Sequence, residues 1–232
     1  HILGRVCTHP CESACRRGKI DEPVSICSLK RVAADFAEKE YPKRGLSKKK
    51  TGKKKKVAII GAGPSGLAAG NDLAVMGHDI TIFEALPMAG GMLSVGIPPY
   101  RLPWNKIDGA VDWVEKLGIN LKLKSPINSL DKFDKLVKKY DAVYIAAGAH
   151  KSMALEIPGE DLKGVVHGIT YMKDINLGKQ KKVPSRVAVV GGGFTAIDCA
   201  RSSLRLGAKE VFIIYRRTLK EMPAGELEVS LA

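Results

Sequence analysis

The sequence predicts an α/β protein in which a helical, cysteine-rich segment precedes two parallel βαβ units. Three observations carry this. One design occurs twice, as KKVAIIGAGPSGLAAGNDLAVMGHDITIFE (residues 55–84) and SRVAVVGGGFTAIDCARSSLRLGAKEVFIIYRR (residues 185–217). Each copy opens with a short apolar run, passes a glycine turn and a small-residue helix, and closes on a second apolar run. That is the pattern of two strands buried in a parallel sheet and their crossover helix. Four of the five cysteines lie within the first 27 residues. Hydrophobic residues make up 45% and charged residues 27% of 232 positions. That composition supports two modest cores and excludes both a disordered chain and a small disulfide scaffold.

The cysteines come first along the chain. Cys7, Cys11, Cys15 and Cys27 are spaced C-x3-C-x3-C-x11-C. The first three recur every four residues, so on one helix they would line one face. Cys27 returns through a loop holding Gly18 and Pro23. Four thiolates can hold a [4Fe–4S] cluster. Zinc is the rival, although structural zinc more often shows ligand pairs split by a long gap. Leu29, Val32, Ala33, Phe36 and Ala37 then recur at helical spacing, and Pro42 stops the pattern. A metal-binding helical segment is expected over residues 1–42.

The net charge is +14. Nine basic residues and no acid stand between Lys43 and Lys56, with two glycines and no hydrophobic periodicity. This stretch, 43–56, reads as a basic linker. No aromatic interleaves its lysines, so no nucleic-acid partner is expected. No apolar run is long enough to insert in a membrane. The first residues lead straight into the cysteines with no signal peptide, so a cytoplasmic location is expected. The chain lacks an initiator Met, which suggests a piece of a longer protein.

Residues 57–183 form the first expected nucleotide domain. Gly61 makes a tight turn, Gly63 lets the backbone approach a pyrophosphate, and Gly66 allows close helix–strand packing. Pro64 suits the first helical turn. It and Ser65 open a helix whose N-terminus offers N–H groups and a positive dipole to phosphates. Glu84 ends the second strand, where a carboxylate can accept hydrogen bonds from a ribose diol. Helices are expected over 107–117 and 130–140, a buried strand over 142–147, and an exposed crossover from Leu155.

Residues 184–232 form the second. Gly191 and Gly193 repeat the turn, Phe194 and Thr195 open its helix, and Ala196 takes the third glycine's place. Tyr215 stands where the first copy has Glu84, and Arg216 and Arg217 follow. An acid there would repel a 2′-phosphate, whereas a guanidinium pairs with it, so NADP(H) is favoured over NAD(H). Cys199 stands alone on the second helix as a small packing residue. Two dinucleotide turns in one chain suggest two nucleotides, FAD first and a nicotinamide second. Gly90, Gly91 and the Gly/Pro-dense stretch from Gly96 to Pro103 suit a loop that lays backbone against a flavin ring.

The motifs GRVCTHPCESACRRG, PVSICSLKR, GAGPSGLAAG, FEALPMAGGML, GIPPYRLP, AAGAH, VVGGGFTAIDCAR and YRRTLKEMPA, in that order, resemble the small (beta) subunit of NADPH-dependent glutamate synthase. They equally resemble the N-terminal part of dihydropyrimidine dehydrogenase and the NADPH-side subunit of electron-bifurcating transhydrogenases. The resemblance covers nearly the whole chain. It implies an iron–sulfur segment and two Rossmann-like domains, for FAD and then NADPH, both continuing past Ala232. It implies FAD at Gly61, Gly63, Gly66 and Glu84, with Gly90, Gly91 and Ile97 beside the flavin. It places NADPH at Gly191, Gly193, Ala196, Arg216 and Arg217, and cluster ligands at Cys7, Cys11 and Cys15. Electrons would pass from NADPH to FAD and through clusters to a larger redox subunit. A thioredoxin-reductase-like enzyme would need a redox-active cysteine pair, and only Cys199 lies beyond residue 27. A non-catalytic relay scaffold is the remaining alternative; it would show no NADPH-dependent dye reduction.

Overall fold

A computed structural model describes residues 1–38 and 52–230. The expected basic linker therefore lies outside the described residues up to residue 51. In chain order the elements are α1 (Leu3–Val6), α2 (Pro10–Ser13), a 3-10 turn (Arg16–Lys19), α3 (Ile26–Glu38), β1 (Lys56–Ile60), α4 (Pro64–Val75), β2 (Asp79–Phe83), α5 (Met92–Val95), α6 (Trp104–Lys116), β3 (Asn120–Lys122), α7 (Leu130–Lys139), β4 (Ala142–Ile145), α8 (Gly168–Asn176), β5 (Arg186–Val190), α9 (Phe194–Arg205), β6 (Glu210–Ile214), a 3-10 turn (Leu219–Glu221) and α10 (Glu226–Ser230). They fall into two compact units, residues 1–90 with 99–147, and 91–98 with 148–232.

The first unit is built on a parallel sheet of order β3-β2-β1-β4. Ile59 and Ile82 are fully buried at its centre, and Leu67, Ala74, Val114, Leu117 and Ile119 pack around them. The expected helices at 107–117 and 130–140 are α6 and α7, with Ile107, Val114 and Leu136 turned inward. The strand expected over 142–147 is shorter and is not buried: Tyr144 and Ile145 are exposed. Among the described residues β4 is an outer strand of this sheet, paired on its β1 side alone, which leaves Tyr144 and Ile145 open to solvent.

At the N-terminus α1 packs on α3. Gly4 comes so close that a Cβ there would lie 2.7 Å from the Arg31 Cα. The buried Arg5 guanidinium meets the Asp35 carboxylate through two 2.8 Å hydrogen bonds. The apolar stripe of α3 faces outward, with Leu29, Val32 and Phe36 exposed.

The second unit pairs β5 and β6 in parallel, with α9 packed on both strands and α8 on α9. Met172, Ile197, Cys199 and Ala200 are buried there. β5 and β6 are not buried on both faces as the apolar runs suggest. Val190, Phe212 and Ile214 are exposed, because among the described residues this sheet has two strands and α9 covers one side. Residues 155–158, where the crossover is expected to start, are exposed, and Gly159 is half-buried. Among the described residues no helix is long and apolar enough to cross a membrane.

Candidate functional site

The first glycine turn joins β1 to α4. Gly61 has φ +107°, and a Cβ there would lie 2.3 Å from the Ala146 carbonyl oxygen. At Gly66 a Cβ would lie 1.9 Å from the Gly61 carbonyl oxygen, so the helix rests directly on the turn. Gly63 is the N-cap of α4 and Pro64 follows it, with no side-chain cap. Among the described residues the main-chain N–H groups of Gly63, Ser65 and Gly66 have no acceptor. Three free donors at a helix N-terminus suit an anion.

Glu84 ends β2 and is 6% exposed. Its Oε2 accepts from the Ala62 N–H at 2.7 Å, and its Oε1 accepts from the Leu86 N–H at 2.8 Å. The residue expected to meet a ribose thus also staples the glycine turn to β2. A carboxylate has about four acceptor sites, so each oxygen keeps capacity for a diol. The Gly90 N–H donates to the Ala62 carbonyl, bringing that glycine to the turn. Gly91, with φ +55°, caps α5 in the second unit. Ile97 follows α5, and its carbonyl accepts from Asn176 Nδ2 at 3.0 Å. Two neighbours of the expected residues were not foreseen. One is Asn176. The other is Tyr144, whose hydroxyl lies 2.8 Å from that of Ser65.

The second turn repeats the design between β5 and α9. Gly191 has φ +139° and donates to the Ile214 carbonyl. Gly193 is the N-cap at φ −92°, and nothing lies within 4 Å of a Cβ built on it. Among the described residues the N–H groups of Gly193, Phe194 and Thr195 have no acceptor, and both side chains are exposed. Ala196 fits where the first turn needs Gly66, because its Cβ stays 3.4 Å from a Cβ built on Gly191. The Tyr215 ring lies over Gly192, and its hydroxyl donates to the Glu221 carbonyl at 3.0 Å. Arg216 and Arg217 follow, exposed, and among the described residues neither forms an ion pair.

The four N-terminal cysteines do not share one helix face. His9 adopts the left-handed conformation (φ 42°, ψ 49°) ahead of Pro10, which breaks the chain between α1 and α2. Cys7 and Cys15 take extended backbone, Cys11 lies in α2, and Cys27 opens α3. The Cys7 thiol is shifted down by the His9 N–H and by Lys30; the Cys15 thiol is shifted down by main-chain N–H groups of Val24, Arg17 and Gly18. All four are free thiols. This donor chemistry suits a thiolate-bound iron–sulfur centre. Among the described residues, however, no three His, Cys, Asp or Glu side chains converge on a metal-sized site. Cys199 is the packing residue expected: its Sγ donates to the Gly168 carbonyl at 3.7 Å, and burial pushes its thiol up to about 12.

Two glycine turns of this kind, each on a parallel β–α unit with free N–H groups, are the mark of a dinucleotide-binding fold. Residues 55–226 match the family described as pyridine nucleotide-disulphide oxidoreductase, and the chain belongs to that family. It is similar to the NADP(+)-dependent formate dehydrogenase subunit beta of Moorella thermoacetica, 45% identical over 98% of this chain and 36% of that protein. It is also similar to the glutamate synthase [NADPH] small chain of Bacillus subtilis, 36% identical over 90% of this chain and 44% of that one. These relatives bear out the resemblance to the glutamate synthase small-subunit group. The chain spans less than half the length of either. Among solved structures it is similar to Mycobacterium tuberculosis FprA in complex with NADPH, with a TM-score of 0.63 and 25% identity over 77% of this chain and 47% of that chain.

Proposed function

We propose that this chain is the nucleotide-binding part of an NADPH-dependent flavin and iron–sulfur oxidoreductase subunit, working with a larger redox partner in the cytoplasm. The single observation that carries the reading is the pair of glycine turns with unlike second-strand ends: Glu84 at the first, Tyr215-Arg216-Arg217 at the second. When bound, NADPH would give a hydride to FAD, and the flavin would release electrons singly toward an iron–sulfur centre.

The chain's own residues have distinct tasks in this reading. Gly61, Gly63 and Gly66 open the first turn, and the free N–H groups of α4 hold the FAD phosphates. Glu84 accepts from the ribose. Gly90, Gly91 and Ile97 run beside the flavin. Gly191, Gly193 and the N-terminus of α9 hold the NADPH phosphates, and Arg216 and Arg217 select the 2′-phosphate. Cys7, Cys11, Cys15 and Cys27 supply the thiolates. Hydride transfer needs alignment more than a protein acid or base, so no residue is assigned that role. A dithiol mechanism is disfavoured, because Cys199, the one cysteine beyond residue 27, is buried with a raised thiol pKa. The beta-subunit and small-chain names of the relatives support a partner subunit.

The test is oxygen-free purification of the full-length protein, followed by absorbance spectroscopy, flavin and iron assays, and NADPH-dependent tetrazolium reduction. A yellow-brown protein that reduces the dye supports the reading. A coloured protein without dye reduction would leave a relay scaffold, and a colourless one would end the proposal.

A further inference from the structure

Tyr144 lies outside every motif above, yet it touches Ser65 of the first glycine motif. Ser65 is the second residue of α4, and its hydroxyl stands 2.8 Å from that of Tyr144 on β4. Tyr144 pairs with Ile59 in the β1–β4 register, so it comes from the strand beside the one that feeds the turn. Both residues are exposed. A neutral hydroxyl pair in contact with water adds little to folding. It does couple the directions of the two hydroxyl protons, since only one of them can lie between the oxygens.

A pyrophosphate carries acceptors only, so a hydroxyl that serves it must donate. A phenol hydroxyl is a stronger hydrogen-bond donor than an aliphatic one, so the Tyr144 hydroxyl takes the donor role. When the Tyr144 hydroxyl donates a hydrogen bond to Ser65 Oγ, the Ser65 O–H is left to point at an anion, alongside the free N–H groups of Gly63, Ser65 and Gly66. We infer that Tyr144 is a positioning residue for the first dinucleotide, orienting the Ser65 hydroxyl as a donor to its phosphate oxygens. The inference rests on the proposed reading of this turn as the FAD site.

The test titrates FAD into the flavin-stripped full-length protein and follows quenching of flavin fluorescence. Four proteins are compared: the unaltered chain, Tyr144→Phe, Ser65→Ala and the double variant. Each single change raises the Kd for FAD about three- to tenfold, the range expected for the net loss of one solvent-exposed hydrogen bond. The double variant binds no more weakly than Ser65→Ala, because Tyr144 acts through Ser65. Ser65→Thr, which keeps the hydroxyl, restores most of the affinity. The Kd for NADPH and the melting temperature of the flavin-free protein stay unchanged, which a structural role for Tyr144 would not allow. Tyr144→Phe binding FAD as tightly as the unaltered chain overturns the inference alone. So do losses that multiply in the double variant. Failure of the unaltered chain to take up FAD overturns the inference together with the reading beneath it.

Discussion

Glu84 and Ala62 are joined by a 2.7 Å hydrogen bond from the Ala62 N–H to Oε2, inside a site where Glu84 is 6% exposed. The other oxygen holds the Leu86 N–H. The acid at the end of β2 therefore has a structural task before any nucleotide arrives: it fixes the glycine turn and the chain leaving the strand.

Replacing Glu84 by Ala strands two N–H groups at a buried site. Each unsatisfied buried donor costs roughly 1–3 kcal/mol. Glu84→Ala should lower unfolding stability by on the order of 3 kcal/mol, and Glu84→Gln, which keeps one acceptor oxygen, by about half as much. Urea unfolding of the flavin-free protein measures this. An unchanged midpoint for Glu84→Ala would mean that water replaces the carboxylate.

The glycines of the two turns should respond differently to alanine. Gly66→Ala puts a methyl 1.9 Å from the Gly61 carbonyl oxygen, and backbone must move, so the first unit should fail to fold. Gly193→Ala meets open space, and its φ of −92° is ordinary for alanine. Gly193→Ala should keep its melting temperature while losing at least about tenfold in NADPH affinity, since the methyl occupies the path of the phosphates. Soluble expression, melting temperature and NADPH titration separate the two cases. Equal affinity in Gly193→Ala would show that no ligand backbone approaches there.

This contrast also shows how far the sequence reaches. Local chemistry was legible: Gly61 and Gly191 at positive φ, Pro64 at the helix start, and Glu84 at a strand end all follow from nearest neighbours. Features set by distant pairing were not. Tyr144 meets Ser65 only because β4 lies against β1, and the exposure of Ile145 follows from β4 being an outer strand. The fourfold cysteine spacing suggested one helix face, but Pro10 and the left-handed His9 interrupt it. The stripe of Leu29, Val32 and Phe36 gave the helix correctly and not the direction it faces, because periodicity reports amphipathicity alone.

Asp141 gives the first unit an acid-sensitive joint. It accepts from the Lys56 N–H at 2.7 Å and from Lys55 Nζ at 3.2 Å, and these contacts hold its carboxyl below the ordinary value of 3.8. A depressed native pKa stabilises the fold above the unfolded pKa, and that contribution is lost as pH falls through the native value. Stability of the flavin-free protein should therefore decline as pH drops below about 4. Asp141→Asn, which cannot titrate, should flatten part of that decline. Parallel pH–stability curves for the two proteins would remove Asp141 from the acid response.

Cys199 should differ from the other thiols in reactivity. Thiolate is the reactive form, and a thiol with a pKa of about 12 holds almost none at pH 8. In metal-free protein at pH 8, iodoacetamide should label Cys7, Cys11, Cys15 and Cys27 within the time that leaves Cys199 intact. Denaturant should then expose the fifth site. Peptide mass spectrometry reads each cysteine, and early labelling of Cys199 would show that α9 opens readily.

The nicotinamide preference should rest on Arg216 and Arg217. They follow Tyr215, whose ring covers Gly192 and so occupies the position where the first turn carries an acid. Without a carboxylate there, little repels a 2′-phosphate, and two exposed guanidiniums are available to bind it. A charge-assisted hydrogen bond contributes about 1.5–3 kcal/mol, so replacing both arginines by alanine should weaken NADPH by roughly a hundredfold while NADH changes little. The affinity ratio, read by isothermal titration at constant ionic strength, is the measurement. Equal losses for the two nucleotides would mean that the arginines serve the shared pyrophosphate or the fold, and selection of the 2′-phosphate would then have to come from residues outside this turn.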